Sequence, residues 1–234
     1  MLSEIYNQDC FEFIKNLPDK SIDLLFTDPP YKMQCKGKGL VKNKVLYQKL
    51  EKYGANPNVN YEELLQIVKQ KLKTINMFFF CDKTLKFDLL KFAVENDYSY
   101  KELAFCKTSP VPFSNNQWHA DIEWGIHIFK GLKVMGDYNT KKSFFIMPNF
   151  REKGIAHPTP KKVSVIKKIL QNITEKGDVV LDLFLGSGTT AVACEEMGRK
   201  CIGCEIDKEY YDLAVDRLRQ LDSQAELFNQ ETCK

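Results

Sequence analysis

The sequence predicts an α/β domain built on a mostly parallel β-sheet. Apolar runs typical of strands alternate with helical patterns along nearly the whole chain, which is the arrangement of a parallel sheet covered by helices. Two of the strand-like runs lead directly into tight turns, one with two prolines and one with two glycines. A length of 234 residues is that of one large domain, so residues 1–234 are expected to fold together around one small insert.

The predicted strands are short runs rich in β-branched, aromatic and other apolar residues, bounded by turn-forming residues. There are seven of them, and the sheet is therefore expected to have seven strands. The predicted strands are Glu4–Tyr6, Ile22–Thr27, Asn76–Cys81, Tyr100–Cys106, Asp121–Phe129, Val179–Phe184 and Lys200–Glu205.

The predicted helices have apolar residues at helical spacing. In the segment that begins at Lys161, five apolar residues from Val163 to Ile173 fall on one face and leave lysines on the other. The predicted helices are Cys10–Asn16, Tyr61–Lys73, Thr84–Glu95, Lys161–Ile173, Thr189–Met197 and Lys208–Leu221. From about Ser223 the chain is predicted to end in a polar tail.

Two segments interrupt the alternation, residues 32–60 and residues 130–156. Long connections in compact domains are usually functional or disordered. Seven lysines and one acidic residue lie between Lys32 and Lys52, and six basic residues and two acidic ones lie between Lys130 and Lys153. Each stretch taken alone is typical of a solvated surface. As two basic loops beside a candidate site, they also fit contacts to phosphate groups.

The composition indicates a cytoplasmic protein without metal. The N-terminus lacks a signal peptide, and no apolar run is long enough to span a bilayer. The eight cysteines are expected to be free thiols. Cys201 and Cys204 have the spacing of a zinc half-site, but no second pair follows, so they are interpreted as buried strand residues.

The glycine-rich turn predicts a site for an adenosine-containing ligand. Val179–Asp182 is a buried strand, and Gly186-Ser187-Gly188 turns the chain into a helix, with glycines that allow a ligand to approach the backbone. Glu205 ends the next strand, at about the distance where an acidic residue meets ribose hydroxyls in dinucleotide folds. These features alone do not separate NAD from S-adenosylmethionine.

The proline-rich turn, Asp28-Pro29-Pro30-Tyr31, provides the distinguishing feature. The prolines hold the turn rigidly, so the Asp28 carboxylate and the Pro29 carbonyl can accept both N–H bonds of a base amine. Tyr31 can stack on the base. A base in a duplex must be flipped out to reach such a turn. The alternative is an ordinary proline turn whose Asp28 caps the backbone.

Taken together, these motifs resemble the amino-group DNA methyltransferases of the β group, in which the catalytic motif precedes the cofactor motif. Asp28–Tyr31 looks like the family's catalytic motif, and Asp182–Thr189 looks like its Asp-Pro-Phe-x-Gly-Ser-Gly-Thr loop, with Leu183 in place of Pro. His157–Lys161 looks like its His-Pro-Thr-x-Lys-Pro segment, with Lys162 in place of the last Pro.

The resemblance implies a Rossmann-like methyltransferase fold with a mostly parallel, seven-stranded sheet, an antiparallel edge strand and circularly permuted motif order. The first strand is then expected beside Lys200–Glu205, and Asp121–Phe129 is expected to pair antiparallel with Tyr100–Cys106 at the other edge. Residues 130–156 are expected to be the target-recognition region. The basic loop of residues 32–60 is expected near the active site.

The resemblance also implies the roles of individual residues. The implied catalytic residues are Asp28, Pro29, Pro30 and Tyr31. The implied cofactor-binding residues are Asp9, Cys10, His157, Thr159, Lys161, Asp182, Phe184, Gly186, Ser187, Gly188, Thr189 and Glu205. Two of these also have a purely structural interpretation, because Asp9 is a good helix cap and Thr159 can cap the helix after Pro160.

The resulting hypothesis is transfer of a methyl group from S-adenosylmethionine to adenine N6 in a specific DNA sequence. The alternatives are methylation of cytosine N4 or of RNA adenine, or a nucleic-acid-binding protein without catalysis. A glutamine-directed protein methyltransferase fits less well, since that group resembles Asn-Pro-Pro-Tyr in the opposite motif order. The expected partners are double-stranded DNA and a restriction endonuclease, with no membrane, and the chain is expected to be a monomer or a homodimer.

Overall fold

The computed structural model describes residues 3–30, 59–110, 118–147 and 161–232. The described strands are β1 Glu4–Asn7, β2 Leu24–Thr27, β3 Asn76–Cys81, β4 Ser99–Lys107, β5 Ile122–Phe129, β6 Phe144–Met147, β7 Val179–Asp182 and β8 Lys200–Glu205. The described helices are α1 Cys10–Lys15, α2 Tyr61–Lys71, α3 Lys83–Glu95, α4 Val163–Ile173, α5 Thr189–Glu196 and α6 Lys208–Thr232.

The strands form one sheet in the order β1-β8-β7-β2-β3-β5-β4-β6. Neighbouring strands are parallel except where β5 pairs antiparallel with both β3 and β4. The predicted pairing of the first strand with β8, and of β5 with β4, is confirmed. The α/β class with a mostly parallel sheet is likewise confirmed.

Two details of the predicted sheet were wrong. The described sheet has eight strands rather than seven, and the antiparallel strand β5 lies inside the sheet rather than at its edge. The eighth strand is β6, which pairs parallel with β4 through Ala104↔Phe144 and its neighbours, and β5 is internal because β3 and β4 pair with it on either side. The four residues of β6 follow a polar, lysine-rich stretch and are too few for an alternating pattern to reveal a strand.

Both faces of the sheet are buried, which explains why the central strands are almost continuously apolar. Alternate residues of a strand point to opposite faces, so Leu25 packs towards α1, α2 and α3 while Leu24 and Phe26 pack towards α4, α5 and α6. The strand β3 divides in the same way, and all six of its residues are buried. Cys201 and Cys204 are fully buried in β8, as predicted.

Several helices begin at side-chain caps. Asp9 accepts the backbone N–H groups of Phe11 and Glu12 at 2.8 and 3.3 Å, which confirms its predicted role as the cap of α1. The prediction for α4 was wrong, because this helix begins at Val163 with Lys162 at the N-cap position, so Thr159 is not its cap.

The C-terminal segment is helical rather than the predicted polar tail. Helix α6 continues from Lys208 to Thr232. Its last turns are polar, but Gln, Glu, Ala and Leu are good helix formers, so a polar composition does not end a helix. No helix in the described ranges is long and apolar enough to cross a membrane.

A buried histidine links the sheet to α4. The Nε2 atom of His127 lies 2.9 Å from Oδ1 of Asn76, and Nδ2 of Asn76 donates to the carbonyls of Asp23 and Ile173. Because the amide nitrogen donates, Oδ1 accepts and Nε2 of the neutral imidazole carries the proton. Burial lowers the pKa of His127 to about 4.

This histidine is expected to make the protein less stable in mild acid. The unfolded chain binds the proton near the ordinary pKa of 6.5 and the folded chain only near 4, so stability is lost as the pH falls through this range. Relative to a His127→Gln variant, the wild type is expected to lose about 2 kcal/mol of unfolding free energy between pH 7 and pH 5.

Urea unfolding of both proteins at the two pH values checks this prediction. Burial raises the pKa of Asp182 to about 6, so this carboxyl favours the folded state at low pH and acts in the opposite direction. The difference between the two proteins removes that common contribution. Equal pH dependence in wild type and variant would contradict the proposed state of His127.

Candidate functional site

The predicted site residues that the structure describes lie together at the carboxyl ends of the parallel strands. Strands β1, β8, β7, β2 and β3 are parallel neighbours, so their carboxyl ends meet there. Strands β2 and β7 are adjacent, in a register that pairs Leu25 with Leu181. The proline turn that follows β2 and the glycine turn that follows β7 therefore lie side by side, as the sequence predicted.

A hydrogen bond joins the ends of these two strands directly. The hydroxyl of Thr27 donates to Oδ1 of Asp182 at 2.8 Å, and the backbone N–H of Phe184 donates to the same oxygen at 3.1 Å. Asp182 is 2% exposed, and burial raises the pKa of its carboxyl to about 6. Asp182 thus fixes the start of the glycine turn to the strand that carries Asp28.

The glycines of the second turn are required by its backbone geometry. Gly186 and Gly188 have φ values of +54° and +77°, which residues with a Cβ rarely adopt. A Cβ on Gly188 would also lie 2.7 Å from the Cβ of Ala214 in α6. The turn can therefore pack against α6 only with glycine at position 188.

Arg217 of α6 supports this turn from the protein side. Its Nη1 atom donates to the carbonyl of Ser187 at 2.7 Å and lies within 3.3 Å of the hydroxyls of Ser187 and Thr189. Arg217 was not predicted from the sequence, because nothing in its spacing links it to a turn about 30 residues earlier. Ser187 and Thr189 are both buried, so their hydroxyls belong to the scaffold of the turn.

Glu205 closes the other side of the glycine turn. Its Oε2 atom accepts the backbone N–H of Gly186 at 2.7 Å, and its Oε1 atom accepts that of Asp207 at 2.9 Å. Burial raises the pKa of Glu205 above its ordinary value. The structure thus brings the predicted ribose-binding carboxylate into contact with the glycine turn.

At the proline turn, Asp28 lies beside an ammonium group. Nζ of Lys161 lies 2.8 Å from Oδ2 of Asp28 and 3.3 Å from Oε2 of Glu123. The hydroxyl of Tyr61 donates to the carbonyl of Pro30 at 3.2 Å. The turn is thereby held from two sides, and neither Glu123 nor Tyr61 was predicted from the sequence.

The remaining predicted site residues divide into two groups. Cys10 is buried next to Asp9 at the start of α1, and burial raises the pKa of its thiol to about 12. Tyr31, His157 and Thr159 lie outside the described residues, as do most of the 32–60 loop and residues 148–156.

The described residues contain no cluster of three or more His, Cys, Asp or Glu side chains suited to a metal ion. The six cysteines in the described ranges are free thiols. The described residues at the carboxyl ends of these strands offer carboxylates, an ammonium group and backbone N–H and carbonyl groups. A carboxylate and a carbonyl can hold an amine, and the glycine turn with Glu205 can hold a polyhydroxylated group.

The chain is similar to known DNA-modifying enzymes over most of its length. A family model described as DNA methylase, whose name covers N6 and N4 methyltransferases, matches residues 22–216. The Type II methyltransferase M.HinfI of Haemophilus influenzae is 27% identical, with 94% of this chain and 69% of the relative aligned.

Solved structures share the fold. The crystal structure of the M1.HpyAVI–SAM complex is 27% identical, has a TM-score of 0.68, and aligns over 92% of this chain and 98% of its own. The cytosine-N4-specific PvuII DNA methyltransferase has a TM-score of 0.70 at 19% identity and covers 92% of this chain and 86% of its own. The second likeness concerns the fold alone.

Proposed function

This chain belongs to the DNA methylase family, and we propose that it transfers a methyl group from S-adenosylmethionine to N6 of adenine in a specific DNA sequence. The observation that carries the proposal is the adjacency of the Asp28 turn and the Gly186–Gly188 turn at one sheet edge, tied by the hydrogen bond from Thr27 to Asp182. One turn suits an amine and the other suits an adenosine, as methyl transfer to a base requires.

The residues of the glycine turn fit S-adenosylmethionine. Each carboxylate oxygen of Glu205 accepts one backbone N–H in the hydrogen bonds above, and a carboxylate has about four acceptor positions. The vicinal hydroxyls of a ribose can therefore donate to Glu205 without disrupting the turn. Asp182, Phe184 and Gly186–Thr189 shape the backbone beside it. The contacts expected for Asp9, Cys10, His157, Thr159 and Lys161 remain part of the proposal.

The proposed chemistry uses Asp28 and Pro29 as acceptors. When bound, S-adenosylmethionine supplies an electrophilic methyl group on a sulfonium. The lone pair of a base amine is delocalised into the ring, so the amine needs help to become a nucleophile. The Asp28 carboxylate and the Pro29 carbonyl accept hydrogen bonds from its two N–H groups, orient the nitrogen and stabilise the positive charge that develops on it. Once the nitrogen carries the methyl group, its N–H proton is acidic and leaves without a strong general base. Tyr31 is proposed to stack on the base.

Adenine N6 is the proposed target because position 28 is Asp rather than Ser. Cytosine N4 presents the same exocyclic amine and is the competing target, together with adenine in RNA. The similarity to the M1.HpyAVI–SAM complex and to M.HinfI supports a cofactor-dependent DNA methyltransferase. The choice between the two bases rests on Asp28 and is therefore the part that needs a direct test.

The substrate is proposed to be double-stranded DNA with the target base flipped out. Residues 130–156 are proposed as the target-recognition region and the basic residues of the 32–60 loop as contacts to phosphates. Part of the first segment, Phe144–Met147, joins the sheet as β6, which leaves the residues around it for recognition. A cytoplasmic location, a restriction endonuclease partner and a monomeric or dimeric state are further parts of the proposal.

Mapping the methylated base tests the proposed function. The protein is incubated with labelled S-adenosylmethionine and DNA of mixed sequence, with RNA of the same sequence as a parallel substrate. We expect N6-methyladenine at one short recurring sequence in DNA and no label in RNA. N4-methylcytosine would overturn the choice of base. Salt-sensitive DNA binding without any methyl transfer would indicate a binding protein without catalysis.

A further inference from the structure

An ion-pair network that the proposed function does not use reaches Asp28 from the β4–β5 hairpin. Nζ of Lys107, the last residue of β4, lies 2.5 Å from Oε1 of Glu123, the second residue of β5. Oε2 of Glu123 lies 3.3 Å from Nζ of Lys161, which in turn lies 2.8 Å from Asp28. Four alternating charges therefore connect two strands, the start of α4 and the proline turn.

The network is partly buried, with Lys161 the most buried of its four side chains and Glu123, at 38% exposed, the least. The side chain of Lys161 is 19% exposed, and its Nζ lies 4.6 Å from the centre of the Phe80 ring. Burial alone would lower the pKa of Lys161, but the carboxylates of Asp28 and Glu123 outweigh it and raise that pKa. Burial alone would raise the pKa of Glu123, and the ammonium groups of Lys161 and Lys107 outweigh it and lower that pKa.

A single carboxylate leaves a lysine free to rotate, because an ammonium group is a point charge on a flexible stem. Two carboxylates from different elements fix its position, since Nζ must satisfy both. Glu123 is itself fixed by Lys107 through its other oxygen. The position of Asp28 therefore depends on residues of the hairpin that touch neither turn of the site.

We propose that Glu123, held by Lys107, is a positioning residue that fixes Lys161 against Asp28 and so orients the carboxylate for the base amine. This inference rests on the proposed function of Asp28. It assigns a role in catalysis to the β4–β5 hairpin, which lies on the far side of β3 from the glycine turn. Glu123 acts through Lys161 and has no contact with substrate in this account.

A double-mutant cycle of Glu123→Gln and Lys161→Met tests the proposal. Glu123→Gln keeps the shape of the side chain and removes its charge. We expect kcat for DNA methylation to fall about tenfold to a hundredfold, as for a small misplacement of a reacting group, with the KM for the cofactor changed less than twofold. Because Glu123 acts through Lys161, Glu123→Gln should lower kcat by less than about a further twofold when Lys161 is already Met.

Two further variants separate positioning from folding. Lys161→Arg should recover part of the activity that Lys161→Met loses, because it restores a cation between the two carboxylates. Lys73→Met is the matched control, since Nζ of Lys73 also lies 2.8 Å from a carboxylate, that of Asp23. Asp23 lies at the amino end of β2, away from the proposed site at the carboxyl ends. It should leave kcat unchanged. The midpoint of urea unfolding is measured for every variant.

Three results would overturn the proposal: unchanged kcat in Glu123→Gln, an equal loss of kcat in both backgrounds, or a loss of kcat in Lys73→Met as large as in Glu123→Gln. If the wild type transfers no methyl group to DNA, the proposed function fails instead. In that case the double-mutant cycle is evaluated on the midpoints of urea unfolding, which test whether Glu123 and Lys161 interact. Coupled shifts of Glu123→Gln and Lys161→Met support it, and additive shifts overturn it.

Discussion

Replacing Asp28 with Ala is expected to reduce kcat for DNA methylation by about 10²–10³-fold, the usual effect of removing one group that stabilises a charge developing in the transition state. Asp28 is the carboxylate at the end of β2 that would accept the amine of the base. The variant should bind S-adenosylmethionine with a Kd within about twofold of wild type, because the proposed ribose contact lies on Glu205 after β8. Single-turnover kinetics and cofactor titration measure the two effects separately.

An Asp28→Asn variant is the matched control for shape. The amide keeps the size of the side chain and one acceptor oxygen but loses the charge that pairs with Lys161. We expect an intermediate kcat and an unfolding midpoint close to that of wild type. Full turnover by Asp28→Ala would contradict the proposed role of the proline turn, whatever the cofactor affinity.

The second large effect is expected from Glu205→Gln. The change removes the charge that would receive two ribose hydroxyls and also weakens the bond from the backbone N–H of Gly186, which is 2.7 Å long. Hydrogen bonds to charged groups contribute about 1.5–3 kcal/mol each, so the Kd for S-adenosylmethionine should rise about tenfold or more. Isothermal titration calorimetry on the protein without DNA measures it.

Glu4→Gln controls for the loss of a carboxylate on the same half of the sheet. Glu4 begins β1, next to β8, and its carboxylate lies 2.6 Å from Nζ of Lys200 at the amino ends of these strands, away from the proposed site. Its removal should leave cofactor affinity unchanged. An unchanged Kd in Glu205→Gln would contradict the ribose contact. An equal loss in both variants would point to a general effect of charge instead.

The elements that could be predicted are those that follow from a local sequence pattern. The buried strands β2, β3 and β7 are short apolar runs, and α4 has a clear apolar face, so their positions follow from periodicity. The two turns of the site were predictable for the same reason. Each turn follows a strand directly, and its prolines or glycines fix or allow backbone conformations that other residues do not provide.

The rest depends on contacts between residues distant in sequence. Glu123 and Lys161 are 38 residues apart by their numbers, and the network between them has no local signal. Arg217 contacts Ser187 for the same kind of reason, through the packing of α6 on the glycine turn. The strand β6 was missed because four residues carry too little periodicity, and the helical end of α6 because its residues are polar.

A crystal structure with S-adenosylhomocysteine, the unreactive product, shows directly whether the two turns form one active site. We expect the ribose hydroxyls at the Glu205 carboxylate, the adenosine along Gly186–Gly188, and the sulfur facing the Asp28-Pro29 turn. The amine of a base held by that turn could then reach a methyl group on the sulfur. A ligand bound elsewhere, or one whose sulfur faces away from Asp28, would contradict the claim that the two turns form one active site.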